Sequence, residues 1–235
     1  MQDFDSKELN KLDSFSLISI GARRCGKTHG ICCLLCESKI EFDVVFLFSE
    51  TAEVQDDYFE CIPFQYKYNE LKVDIIEKIM KKQKSIKEKN DELPRVLIIA
   101  DDCINNKDTF YSKTILNLYT LGRHYRISTI FLLQALTGSI HPKARLNADI
   151  IIMFRMISAK ERKKFVEDFL TPSRGKDSFS IGEEFMENAF NEPYASLVIC
   201  AYKSSNVKKL EDYVYRYKAC DKIPEFCLGH EKHWQ

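Results

Sequence analysis

Short apolar runs alternate with stretches of helical period along most of the chain. Phe15-Ser16-Leu17-Ile18-Ser19-Ile20 alternates as a strand does, and Gly30-Ile31-Cys32-Cys33-Leu34-Leu35-Cys36 reads as a buried helix. Asp43 to Ser49 is almost continuously apolar, the pattern of a strand covered on both faces. Residues 70 to 90 form a lysine-rich helix, with Ile75, Ile76, Ile79 and Ile86 on its apolar side and Leu93-Pro94 beyond its end. Further strands are expected at Arg95 to Ala100, Ile127 to Leu133, Asp149 to Phe154 and Ala195 to Tyr202, with a helix over about 107 to 122. Ser158-Ala159-Lys160-Glu161 has the form of a capping box opening a helix to about Leu170, followed by the polar loop 171 to 176.

Strands alternating with helices, without a Pro/Gly-rich linker, predict an α/β domain built on one doubly wound, mostly parallel central sheet flanked by helices. The pattern divides the chain into an N-terminal segment (1–14), a main domain (15–205) and a C-terminal helix and tail (206–235), loosely packed after Cys220. No internal repeat is visible.

Length and composition narrow the class. The 235 residues are 45% hydrophobic, enough for a substantial core. Lys+Arg and Asp+Glu are both 35, so a nucleic-acid partner would have to be met by local basic patches. The charged stretch Met1 to Glu8 has no apolar core of a secretory signal, and no run reaches the roughly 20 apolar residues of a membrane span. The nine cysteines lack a secreted-type spacing and are expected as core thiols in a reducing, cytosol-like compartment.

The strand ending at Ile20 runs into Gly21-Ala22-Arg23-Arg24-Cys25-Gly26-Lys27-Thr28, a complete G-x-x-x-x-G-K-[ST] phosphate loop, with His29 directly after it. Glycines let consecutive N–H groups turn toward phosphate oxygens, and the helix that follows offers unpaired N–H groups and a favourable dipole. Lys27 is placed for the β- and γ-phosphates of ATP, and Thr28 for Mg²⁺. Some 70 residues on, the apolar Val96 to Ala100 run ends in Asp101-Asp102, where a strand meets the ligand crevice. Asp101 can hold Mg²⁺, and Asp102 can orient or deprotonate an attacking water.

Gln134, after Phe131-Leu132-Leu133, can sense the γ-phosphate or satisfy local backbone. The order of motifs implies an extra strand between the phosphate-loop strand and the acid strand. No Asp-x-x-Gly follows Asp101, and Asn106-Lys107-Asp108 lacks the setting of a guanine reader. Arg123, in Gly122-Arg123-His124-Tyr125-Arg126, can point across a subunit interface at a neighbour's γ-phosphate or simply sit at a helix end. Arg126 and Arg145 are the next candidates. Cys220, Cys227, His230 and His233 are soft ligands, but their spacing fits no standard zinc finger, and leftover thiols and tail histidines account for them as well.

The phosphate loop Gly21 to Thr28, the Phe46-Leu47-Phe48 strand, the acids after Ile98-Ile99-Ala100, Gly122-Arg123-His124 and Leu132-Leu133-Gln134 fall in one order. That order resembles the viral DNA-packaging ATPases of the FtsK–HerA superfamily, of poxvirus, large DNA virus and virophage type, over roughly residues 15 to 170. The resemblance implies a RecA-like P-loop (ASCE) core, a homo-oligomeric ring (pentamer or hexamer) and ATP-driven translocation of double-stranded DNA into a capsid. It further implies a capsid vertex protein as partner, and a location in the virus factory of the host cytoplasm or in the virion.

By position, the resemblance carries phosphate and Mg²⁺ binding to Lys27 and Thr28, Mg²⁺ to Asp101, the catalytic acid to Asp102, the sensor to Gln134 and the arginine before the sensor strand to Arg123. Cellular members usually carry Glu at the position of Asp102, whereas viral members can have Asp. Two other readings stand beside this one: a small-substrate P-loop kinase, for which Arg174-Gly175-Lys176 would be a poor lid, and a nucleotide-bound assembly scaffold. DNA contact is expected from the lysine helix (Lys78, Lys81, Lys82, Lys84, Lys87, Lys89) or from the loop with Arg174 and Lys176, the helix serving equally well as a solvated face.

Overall fold

A computed structural model describes residues 1–50, 59–103, 107–171, 178–206 and 209–234. In chain order the elements are β1 (Gln2–Asp3), a 3₁₀ turn at Ser6–Lys11, β2 (Ser16–Ile20), α1 (Lys27–Ser38), β3 (Val44–Ser49) and β4 (Lys67–Tyr68). Then come α2 (Val73–Glu88), β5 (Val96–Asp101), α3 (Lys107–Phe110), α4 (Lys113–Leu121), a 3₁₀ turn at Gly122–Tyr125 and β6 (Ile127–Leu133). After these come α5 (Pro142–Leu146), β7 (Ile150–Met153), α6 (Ala159–Phe169), α7 (Ser178–Ala189), β8 (Ala195–Cys200) and β9 (Val214–Lys218), with further short 3₁₀ turns at Phe64–Tyr66, Ala201–Asn206, Leu210–Asp212 and Glu231–His233.

The strands form one nine-stranded sheet in the order β1-β9-β8-β7-β2-β6-β5-β3-β4. From β7 to β4 every pairing is parallel. The sheet turns antiparallel only where β8 joins β7 and β9 joins β8. The sensor strand β6 separates the phosphate-loop strand β2 from the acid strand β5, the order the motifs imply.

Alternation along each strand splits the core in two. Ile18, Ile20, Ile98, Phe131 and Ile151 face one layer, made by α2, α4, α5, α6 and α7. Leu17, Leu97, Ile99, Ile130 and Ile152 face the other, where α1 is joined by Leu9 of the first 3₁₀ turn and by Leu228. Because most crossover helices lie on the first face, the second is closed largely by terminal chain.

Two expectations are therefore corrected. Among the described residues after 206 the helical pieces are the short 3₁₀ turns Leu210–Asp212 and Glu231–His233, and the main element is strand β9, half-buried and paired with both β8 and β1. Nor is the chain after Cys220 loosely packed: Leu228 is buried, its N–H donates to Cys61 O at 2.7 Å, and His230 N donates to Asp43 O at 3.0 Å.

Smaller departures have local causes. The helix expected over 107 to 122 breaks at Tyr111-Ser112, because the Ser112 hydroxyl caps α4 by accepting from Ile115 N. On α2 the apolar stripe of Ile76 and Ile79 continues not in isoleucine but in buried Gln83, whose amide donates to Pro94 O at 2.7 Å and Tyr125 O at 2.8 Å.

The cysteines are mostly thiols, as expected, but Cys33 and Cys220 are joined as a disulfide between α1 and the chain after β9. Cys220, Cys227, His230 and His233 do not converge among the described residues. Cys220 is taken up by the disulfide, and His233 Nδ1 faces the Tyr66 hydroxyl at 2.8 Å. No helix among the described residues is long and apolar enough to cross a membrane.

Candidate active site

The phosphate loop leaves the centre of the sheet tied to both neighbouring strands. Gly21 N donates to Leu133 O at 3.2 Å, Ala22 N to Arg155 O at 3.3 Å, and Phe154 N to Ile20 O at 2.7 Å. Gly26, at φ +91°, supplies the left-handed turn into α1, a conformation L side chains rarely adopt. No side chain caps α1, so its first N–H groups have no side-chain competitor for an anion.

The sequence motif does not reveal a second tight approach. A Cβ on Gly30 would lie 2.5 Å from the Phe154 ring, so this glycine lets α1 seat on β7 and fixes the height of the loop above the sheet. The Lys27 ammonium folds back over the loop, donating to Gly21 O at 2.9 Å and Ala22 O at 2.8 Å. Burial raises the Cys25 thiol pKa, keeping it neutral where a thiolate would repel phosphate.

Thr28 Oγ1 donates to Asp101 Oδ2 at 3.0 Å. Asp101 ends β5 and is only 7% exposed. Burial, which penalises its charge, pushes its pKa up to about 6; the Thr28 hydrogen bond and Lys27 oppose this, and the neighbouring Asp102 adds to it. A hydroxyl and a carboxylate converging on one point are the hard oxygen donors that Mg²⁺ prefers. Asp102 sits in the left-handed region at φ +54°, which aspartate tolerates better than most residues, and its carboxylate accepts from the Gln134 amide.

The loop after Gln134 is fastened by Glu161, whose place in the capping-box pattern predicts that it reaches back to the start of its own helix. The Ser158 hydroxyl does accept from Glu161 N at 3.4 Å, but the buried Glu161 carboxylate turns to the loop after Gln134. It accepts from Leu136 N at 2.6 Å, from Thr137 N at 3.2 Å and from the Thr137 hydroxyl.

Gly21, Ala22, Arg23, Arg24, Cys25, Gly26, Lys27, Thr28 and His29 thus form one loop and helix start, and Asp101, Asp102 and Gln134 meet it at the carboxyl ends of β5 and β6. His29 Nε2 lies 2.6 Å from Cys220 O, in the chain that follows β9.

Arg123 stands apart. It precedes β6 and is exposed, whereas Gln134 follows that strand. Seven residues of strand put about 23 Å between the two ends. Arg126 is held by Asp13 at 2.9 Å and Leu93 O at 2.8 Å, and buried Arg145 by Asp168 at 2.8 Å, so neither is a free cation. Arg174 and Lys176 lie outside the described residues. On α2, Lys78, Lys81 and Lys84 pair with Asp74, Glu77 and Glu88 one turn away, and Lys87 donates to His124 O.

The family model described as "Poxvirus A32 protein" matches residues 1–162. This chain belongs to that family. The resemblance read from the motifs, to packaging ATPases of the FtsK–HerA superfamily, is borne out, and with it the expectation of an ATPase. A relative from Invertebrate iridescent virus 6, protein 075L, is 28% identical over 225 residues, covering 93% of this chain and 85% of its own.

Among solved structures, the genome packaging NTPase B204 of Sulfolobus turreted icosahedral virus 2 in complex with ATP-γS has a TM-score of 0.56 at 16% identity. The match covers 88% of this chain and 98% of that one. EssC (ATPases 2 and 3) from Geobacillus thermodenitrificans has a TM-score of 0.58 at 15% identity, covering 90% of this chain and 41% of that one. At these identities the structures establish the common fold, an α/β P-loop ATPase domain with a mostly parallel sheet.

Proposed function

We propose that this chain is an ATP-driven motor that moves double-stranded DNA into a viral capsid. The observation that carries the reading is the joining of two pairs, Thr28 with Asp101 and Asp102 with Gln134, at the sheet edge that also presents Lys27, in a member of the A32 family. Lys27 exchanges its loop carbonyls for the β- and γ-phosphate oxygens of ATP. Thr28 and Asp101 would hold Mg²⁺, which would supply neutralisation of charge on the phosphates. Asp102 orients the attacking water and takes up its proton, while Gln134, already bonded to Asp102, reports whether a γ-phosphate is present.

Arg123 lies too far from its own Gln134 to act in cis. Its exposure supports a role toward a neighbour's ATP, and so a homo-oligomeric ring of five or six subunits around duplex DNA. A capsid vertex protein would anchor the ring, in the virus factory or the virion. The test is multiple-turnover ATP hydrolysis with duplex DNA or a nucleoside monophosphate added, together with electron microscopy of the protein with DNA and an ATP analogue. Stimulation by DNA and rings encircling duplex are expected. Phosphorylation of the monophosphate would make the protein a kinase, and absence of turnover would make it a scaffold.

A further inference from the structure

The catalytic groups all lie on one side of the phosphate loop. Asp101, Asp102 and Gln134 belong to β5 and β6, and β2 pairs with β6 on that side. A triphosphate whose γ end meets these groups must run back along the loop toward the other side, where β7 and β8 lie. Because β8 runs antiparallel to β7, the residue before β8 arrives at the same sheet edge as the phosphate loop. That residue is Tyr194.

Tyr194 has three properties that a bystander on the surface would not combine. Its ring stands over the loop, with Cδ1 3.4 Å from where a Cβ on Gly26 would be. It is 68% exposed, so a large apolar face is left open to solvent. Its backbone is held at φ +60°, a left-handed conformation that glycine or asparagine would adopt more easily than a bulky residue. The turn that imposes this conformation is fastened from outside the loop. Glu192 accepts from Arg216 at 3.1 Å and from Lys218 at 2.7 Å, both on β9, while Ala195 N closes onto Glu192 O at 3.4 Å. A strained, externally braced aromatic beside a phosphate loop is a surface kept ready for a flat partner.

We propose that Tyr194 is the platform on which the base of the bound nucleotide stacks. The proposal rests on the phosphate loop being a nucleotide site, and it assigns the end of the ligand that the loop motif leaves unread. Stacking on an aromatic face requires only a planar π-system, so the contact contributes affinity for a nucleobase rather than for the phosphate chain.

The experiment is equilibrium binding of ATP and of inorganic tripolyphosphate, each with Mg²⁺, to the full chain and to Tyr194→Ala, Tyr194→Phe and Lys27→Ala, with thermal unfolding of each variant as a check of folding. Tyr194→Ala should bind ATP about tenfold or more weakly, as loss of a base–aromatic stack does, yet bind tripolyphosphate as the wild type does. Tyr194→Phe should bind both normally, and Lys27→Ala should lose both. Unchanged ATP affinity in Tyr194→Ala overturns the platform while leaving the nucleotide site intact. An equal loss of ATP and tripolyphosphate also overturns it, because Tyr194 would then be shaping the loop. If the wild type binds neither ligand, the nucleotide site itself fails and the platform with it.

Discussion

Replacing Glu161 by alanine should destabilise the protein by unfastening the loop after Gln134. The side chain is only 7% exposed, and its carboxylate answers two backbone N–H groups, of Leu136 and Thr137, and the Thr137 hydroxyl. Alanine leaves both N–H groups without that acceptor, beside a Leu136 side chain that is fully buried. The buried Leu136 N–H, orphaned, costs about 1–3 kcal/mol, whereas Thr137 is exposed and its N–H and hydroxyl can turn to water, so the loss should be about 2–3 kcal/mol. Against a typical total of about 5–15 kcal/mol, that is a large fraction.

Glu161→Gln is the informative companion. Its amide oxygen can still accept both N–H groups, and its NH₂ can donate to the Thr137 hydroxyl, so only the charge is lost, at about 1–2 kcal/mol. Urea unfolding of the three proteins should therefore rank wild type above Gln above Ala. Because the loop begins at Gln134, ATP turnover in both variants should fall more than ATP binding does. An alanine variant within about 1 kcal/mol of wild type would refute the reasoning, since the Leu136 N–H would then have found another acceptor without cost.

Asp101→Asn should stabilise the protein in chelator-containing buffer while abolishing Mg²⁺-dependent nucleotide binding, whereas Asp102→Asn should bind ATP but not hydrolyse it. An acid whose folded pKa is raised from 3.8 to about 6 loses stability as pH climbs between those values. The Asn variant's advantage should grow from nothing near pH 4 to at most about 3 kcal/mol at pH 7.5, read from urea midpoints, and a constant difference across that range would count against it. Arg123→Ala should keep binding and assembly but lose turnover by about 10³–10⁵; mixing it with Lys27→Ala should restore part of the activity, and mixed rings without recovery would return Arg123 to a structural role. Neutralising Lys82 and Lys89 together with the paired Lys78, Lys81 and Lys84 should weaken DNA binding and flatten its salt dependence, and an unchanged salt slope would leave α2 a solvated face.

The parts of this molecule that were legible beforehand share a cause: each is encoded within a few consecutive residues. Apolar runs gave β2, β3, β5, β6, β7 and β8, and the phosphate loop and the paired acids lie together at the sheet edge where their spacing places them. What escaped depends on partners far along the chain. β9 alternates only weakly as Val214-Tyr215-Arg216-Tyr217-Lys218, and it is a strand because β8 and β1 flank it. Gln83 looks polar on an apolar face until Pro94 and Tyr125 supply its acceptors. Glu161 satisfies a local capping rule, yet its carboxylate serves a loop some 25 residues earlier. Gly30 and Tyr194 carry no motif, and only the packing of α1 on Phe154 and the antiparallel entry of β8 bring them to the phosphate loop.

The sheet order also has a consequence for how the protein is made. The strand that carries the phosphate loop is complete by Ile20, but its two neighbours are Ile127–Leu133 and Ile150–Met153. At about 5–20 residues per second, a ribosome needs several seconds or more to deliver them. Throughout that interval Leu17, Ile18 and Ile20 belong to a nascent strand with two open edges, and no nucleotide can assist folding because the loop has nothing to rest on. Synthesis interrupted before β7 would release a chain that carries the complete phosphate-loop motif and cannot form the site. The first strand waits longer still, since Gln2 and Asp3 pair with Tyr215 and Arg216. A strand made early is thus among the last to find its place.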